Sequence, residues 1–263
     1  MNMNIEQSVD ALKKLSAIAN KILGIDNIKF IFEFGSRYGE DSMLFAQSYP
    51  KATVYAFECN PNTLAICESN TSKYKNIQLT KKAVSDIDGE VSFFKIDQSK
   101  TKTTWADGNQ GASSLFVASG KYPVEQYVQE EITVESITLS TFIQQNLIPG
   151  IDILWMDIQG AELLALKGLK DDISKVKIIQ LEVEFFEIYD GQPLYDDLGK
   201  FLNSKGFNLL CFSNYGEYSG DAIYVHEHIL SGKKLTSYQN LFNDKIQTNY
   251  LTRFKNLIER LLQ

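Results

Sequence analysis

Apolar positions recur along this chain with two different spacings. Between residues 5 and 23, Val9, Leu12, Leu15, Ile18, Ala19 and Ile22 alternate with polar residues, which predicts an amphipathic helix stopped at Gly24. Ile28-Lys-Phe-Ile-Phe-Glu-Phe34 is denser, with five apolar β-prone residues in seven. That density predicts a strand buried on both faces inside a parallel sheet. It runs into Glu33-x-Gly35-x-x-x-Gly39 and then Asp41–Gln47, where the spacing turns helical. Ala52–Phe57 reads as a second strand with Glu58 at its tip, and Asn60-Pro61 opens a helix with proline in the first turn. Asn76–Thr80 predicts a third strand continuing through Lys81–Asp86, with Asp88-Gly89 as a hairpin turn and Glu90–Ile96 as the returning strand.

Residues 97–131 change character: a polar stretch holds an isolated Trp105 and is followed by a tyrosine-rich one. A loop of this length inside a domain is usually functional, so it is read as a lid or substrate-facing insertion, with Trp105, Tyr122 and Tyr127 as candidate stacking groups. Glu131–Glu135 alternates like a strand, and Leu139–Leu147 predicts a short helix. The apolar run Ile153–Met156 predicts a buried strand delivering Asp157 to the sheet edge, with a helix over Ala161–Gly168. Lys177–Phe185 is the next strand, and Phe207–Phe212 with Ala222–Val225 a closing hairpin. Apolar positions from Tyr238 to Leu261 predict a terminal amphipathic helix, a candidate surface for a homo-oligomer. The organisation expected is a helical extension (1–27), one α/β domain (28–230) carrying the 97–131 insertion, and the terminal helix (231–263).

Alternation of buried strands and helices places ligands at the carboxyl ends of the strands. A glycine pair at a strand-to-helix turn lets backbone and ligand approach closely, so Gly35, Ser36, Arg37 and Gly39, with Glu33 before them, are candidate cofactor contacts. Glu58 stands where nucleoside sites grip ribose hydroxyls with a two-oxygen acceptor, beside Asn60. The turn after the third strand, with Val84 and Ser85, would lie over a purine. Asp157 is a further cofactor contact and the first candidate for proton removal, with Glu182 and Glu184 on one face of the next strand as partners. Asp157 with Glu182 is also a candidate pair for a divalent cation such as Mg. His226-x-His228 lacks a third ligand at motif spacing.

Composition narrows the function. The 263 residues are 44% hydrophobic and 22% charged, ordinary for a globular domain, and no uncharged run approaches a bilayer span. The start lacks a secretory pattern, and three scattered cysteines (Cys59, Cys67, Cys211) make no disulfide framework, which together point to a reducing cytoplasm. A net charge of −7 opposes nucleic-acid binding and favours a small-molecule or glycan partner.

Glu33-Phe-Gly-Ser-Arg-Tyr-Gly39, Phe57-Glu58-Cys-Asn-Pro61, Ala83-Val-Ser-Asp-Ile-Asp-Gly89, Trp155-Met-Asp-Ile-Gln-Gly-Ala-Glu162 with Leu166-Lys-Gly168, and Leu181-Glu182 stand in an order that resembles the FkbM-type methyltransferases. The resemblance implies a class I, doubly wound Rossmann-like fold with a seven-stranded mixed sheet whose last strand is antiparallel. It also implies S-adenosylmethionine as cofactor and methyl transfer to hydroxyls of sugars, glycans or related natural products. The chain departs from the family pattern twice: Glu33-Phe-Gly-Ser-Arg37 replaces Asp-Val-Gly-Ala-Asn, and Trp155, Met156 and Gln159 stand in a segment that is commonly Lys-Ile-Asp-Val-Glu-Gly. The competing expectations are a NAD(P)-dependent sugar enzyme, opposed by Arg37 where a G-x-G-x-x-G turn needs glycine, and a non-catalytic subunit of the same fold.

Overall fold

A computed structural model describes residues 3–242. The described residues form ten strands: β1 (Phe30–Phe34), β2 (Thr53–Phe57), β3 (Ile77–Thr80), β4 (Ala83–Val84), β5 (Gly89–Ile96), β6 (Gln129–Ile137), β7 (Ile151–Met156), β8 (Val176–Glu184), β9 (Phe207–Tyr215) and β10 (Ser219–His226). The helices are α1 (Met3–Leu23), α2 (Glu40–Ser48), α3 (Pro61–Thr71), α4 (Leu139–Gln145), α5 (Glu162–Gly168), α6 (Tyr195–Ser204) and α7 (Gly232–Phe242). The sequence expectation of a terminal helix over 238–262 falls outside the described residues beyond Phe242.

Seven strands form the central sheet in the order β3-β2-β1-β7-β8-β10-β9, and β10 runs antiparallel to both of its neighbours. This is the mixed, doubly wound class I sheet, with the last strand reversed. The apolar runs of β1 and β7 sit at its centre because side chains from both faces need cover. Phe32, Phe34, Leu154 and Met156 pack against Leu139, Phe142, Leu166 and Leu198 from α4, α5 and α6. On the other face Ile31, Ile153 and Trp155 meet Leu12, Leu15, Ile18 and Phe45 from α1 and α2. The chain winds outward from β1 to β3 and returns at β7, so the order switches between β1 and β7, where such sheets bind ligands.

One expectation is corrected. β3 stops at Thr80, and Ala83–Val84 joins a separate three-stranded sheet in which β6 lies between β4 and β5. Asp88-Gly89 therefore joins two strands that are not paired. The Asp88 carboxylate instead accepts from the Thr138 backbone N–H at 2.7 Å and the Thr141 hydroxyl at 2.8 Å, tying the loop to the start of α4.

Gly35 sits where the β1 and β7 tips touch. At φ +84 it holds a left-handed turn, and a Cβ built there would lie 1.9 Å from the Asp157 carbonyl oxygen. Glu33, two residues earlier, points to the opposite face and accepts from the Ser42 hydroxyl of α2. Burial, then repulsion from Asp41, pushes its carboxyl up to about 8.

Gly35→Ala combines a left-handed strain with a backbone clash and is expected to destabilise by roughly 3 kcal/mol or more. Gly120→Ala, at φ +70 with nothing within 4 Å, is the control and costs about 1 kcal/mol by strain alone in urea unfolding. For Glu33 the folded-state value is raised, so its contribution is full below about 4.5 and is lost as pH rises through about 8. Glu33→Gln is therefore expected to raise the melting temperature at pH 8.5 and leave it nearly unchanged at pH 4, checked by thermal scans across that range.

Candidate functional site

The turn after β1 is stitched to the end of β2 by its own amides. Gly35 and Ser36 both donate to the Phe57 carbonyl, at 3.1 and 3.0 Å, and Arg37 N–H donates to Glu58 Oε2 at 2.6 Å. The other Glu58 oxygen accepts from the backbone of Cys59 at 2.9 Å and Asn60 at 2.7 Å. Burial nonetheless pushes the Glu58 carboxyl up to about 7, with these three amides pulling the other way. Gly39 ends the turn at φ +84 and caps α2; a Cβ there would meet Thr71 Cγ2 at 2.8 Å. Both glycines are thus required by contacts within the protein, independently of any ligand.

A cleft opens beside this turn, at the carboxyl ends of β1, β2 and β7. Gly35, Arg37, Glu58, Asn60, Val84 and Asp157 line it. Phe57, Ala83 and Phe93 supply an apolar wall, and Gln110, Gly111, Ser113 and Leu115 come from the insertion. Those insertion residues, with Ile158 and Ala161, were not singled out by sequence reasoning; the composition change at 97–131 was the signal that pointed to their segment. Glu33, Ser36, Gly39, Ser85, Glu182 and Glu184 are not among the lining residues. Asn60 does line the cleft, but its side chain is occupied: it caps α3 by accepting from Asn62 N–H, and it donates to Ser113 at 3.0 Å.

Arg37 ties the insertion to the turn. It adopts φ +48, pairs with Asp107 at 2.5 Å, and places its guanidinium 4.7 Å from the Trp105 ring centre and 4.9 Å from that of Tyr38. The Tyr38 hydroxyl also donates to Asp107 at 2.9 Å. Trp105 therefore has a partner inside the protein. Tyr122 and Tyr127 belong to a ring cluster instead: Tyr127 stacks on Tyr189 at 6.3 Å, and Tyr122 meets Tyr218 edge-on at 5.6 Å.

Asp157 is exposed at the rim, and Gln159 joins it to Glu182. The Gln159 amide nitrogen donates to Asp157 Oδ1 and to Glu182 Oε2, each at 2.7 Å. Burial, then repulsion from Asp157 and Glu184, holds the Glu182 carboxyl well above the usual range. Glu184 is fully buried and likewise raised, by burial first and Glu162 next. Among the described residues no group of three or more His, Cys, Asp or Glu could hold a metal ion. The Asp157–Glu182 pair does not fit a divalent cation either, since a donor nitrogen lies between the two oxygens that would ligate it. The His226 and His228 rings lie against each other at a tilt of 43°, with centres 4.0 Å apart.

The family model described as the methyltransferase FkbM domain matches residues 19–209. The 2-O-methyltransferase NoeI of Sinorhizobium fredii is 29% identical over 164 residues, 62% of this chain and 66% of that protein. The hexuronic acid methyltransferase AglP of Haloferax volcanii is 21% identical over 154 residues, 58% of this chain and 55% of that protein. This chain thus spans just under two thirds of the first relative and about half of the second. The crystal structure of methyltransferase FkbM from Methylobacillus flagellatus superposes with a TM-score of 0.47 at 12% identity, covering 76% of this chain and 44% of the other. With the family model matched across most of its length, the chain belongs to the FkbM family of S-adenosylmethionine-dependent methyltransferases.

Proposed function

We propose that this protein transfers the methyl group of S-adenosylmethionine to a hydroxyl of a sugar or glycan. The observation that carries the reading is an exposed carboxylate, Asp157, lining the cleft beside the Gly35 turn, with Oδ1 held by Gln159. The cofactor's sulfonium supplies an electrophilic methyl group. On this reading Glu58 accepts from a ribose hydroxyl through Oε2, the Ala83–Val84 and Phe93 wall covers a purine, and the Gly35 turn passes close beneath the ligand.

An aliphatic hydroxyl attacks well only as its proton leaves. Asp157 Oδ2 would take that proton while the hydroxyl oxygen bonds to the methyl carbon and the carbon–sulfur bond breaks, leaving S-adenosylhomocysteine as a neutral thioether, and Gln159 keeps the carboxylate from turning away. The relatives support an oxygen acceptor on a sugar: one is named for 2-O-methylation and another for a hexuronic acid. The net charge of −7 and the carboxyls at the rim disfavour a polyanionic acceptor such as RNA or DNA.

Asp157→Asn is expected to keep the melting-temperature rise given by S-adenosylhomocysteine and to lose turnover by about 10²–10⁴-fold on a responsive sugar from a glycoside panel. Turnover at the parental rate removes Asp157 from the chemistry. Glu58→Ala is expected to weaken cofactor binding by roughly tenfold or more, the worth of a hydrogen bond to a charged group, measured by calorimetry. A melting-temperature rise with NAD and none with S-adenosylhomocysteine refutes the cofactor assignment.

A further inference from the structure

Gln159 is held more firmly than a rim side chain needs to be. Its backbone is left-handed at φ +55, a conformation that costs a non-glycine residue about 1 kcal/mol. Four hydrogen bonds keep it there. The amide nitrogen spends both of its N–H groups on Asp157 Oδ1 and Glu182 Oε2, at 2.7 Å each. The amide oxygen accepts from the Tyr189 hydroxyl at 2.8 Å, and the Gln159 backbone carbonyl accepts from Ser114 at 2.6 Å. The amide nitrogen faces the two carboxyls because it has hydrogens to give them and the amide oxygen has none.

The surroundings explain why such a bridge is needed. Asp157 has acidic neighbours on three elements: Glu162 on α5, Glu182 and Glu184 on β8, and Asp221 on β10, with Tyr189 beside them. Among the described residues none of these carboxyls forms an ion pair. Carboxylates gathered without a counter-charge repel, and three remedies exist: uptake of a proton, toward which Glu162, Glu182, Glu184 and Asp221 are all shifted, a cation between them, or hydrogen-bond donors.

We propose that the Gln159 side-chain amide is a positioning group that stands in for a divalent cation between Asp157 and Glu182, so that this methyltransferase orients its reacting carboxylate without a metal. The inference rests on the reading of Asp157 as the proton acceptor, but the bridge itself can be tested apart from turnover. Gln159→Glu is isosteric and replaces the donor with a third carboxylate, which completes an oxygen set for a cation.

The test compares the parent chain, Gln159→Glu and Gln159→Ala, each with EDTA, Mg²⁺ or Mn²⁺. The parent is expected to turn over equally with EDTA and to show no melting-temperature rise with either ion. Gln159→Glu is expected to keep its KM for S-adenosylmethionine, lose kcat at least tenfold in EDTA and recover it with Mg²⁺ or Mn²⁺. Its melting temperature should rise with the ion alone. Gln159→Ala should lose kcat with no recovery, which a purely structural role would not distinguish from the first variant. A parent enzyme silenced by EDTA and restored by Mg²⁺, or a Gln159→Glu variant whose melting temperature ignores both ions, overturns the proposal. If no acceptor is methylated, the reading of function fails separately, and the ion-dependent melting of parent against Gln159→Glu still decides the bridge.

Discussion

The site depends on how closely the tips of β1 and β7 approach. Asp157 N–H donates to the Phe34 carbonyl at 3.1 Å, and the Asp157 carbonyl fills the space where a side chain at position 35 would begin. Any residue larger than glycine would wedge the two central strands apart at their carboxyl ends. The register Phe34↔Met156 carries that contact down into the core, where both strands are buried on both faces. Asp157 and the Gly35–Gly39 turn are therefore placed by the sheet itself. A carboxylate set by two central strands is held more accurately than one carried on a free loop.

A second constraint follows from charge. The carboxyl rim of the sheet gathers Glu33, Glu58, Asp157, Glu162, Glu182, Glu184 and Asp221, and burial raises most of them. The protein answers with neutral donors: three backbone amides on Glu58, the Ile158 N–H on Glu162 at 2.9 Å, and the Gln159 amide on two carboxylates at once. Donors of this kind satisfy oxygens without cancelling charge.

Much of the architecture was legible in the sequence because its signals are local. The runs Phe30–Phe34 and Ile151–Met156 could bury themselves only as central strands, and Glu58 follows β2 immediately. What escaped was decided by partners distant in sequence. Asp88-Gly89 has the composition of a hairpin turn, yet Asp88 is claimed by Thr138 and Thr141, some fifty residues on, and β6 enters between the expected pair. Glu33 belongs to the motif but faces α2, because alternation along β1 sends it to the side opposite Phe34. Gln159 looked like the loss of a charge, and only the geometry makes it a bridge.

The insertion extends the same logic from the floor of the cleft to its roof. Arg37 gives its backbone N–H to Glu58 and its guanidinium to Asp107, sandwiched by Tyr38 and Trp105. One residue thereby joins the turn, the candidate ribose acceptor and residues 105–107 of the roof. Ser114 then reaches the Gln159 carbonyl, and the Tyr189 hydroxyl shares its one proton between the Gln159 amide oxygen and the Ala112 carbonyl, so the roof also touches the group that orients Asp157. A change in how the roof sits cannot leave the two ends of the cleft independent. Variation in the insertion would reach the Asp157–Glu182 pair through Ser114 and Tyr189 before it reached the sheet.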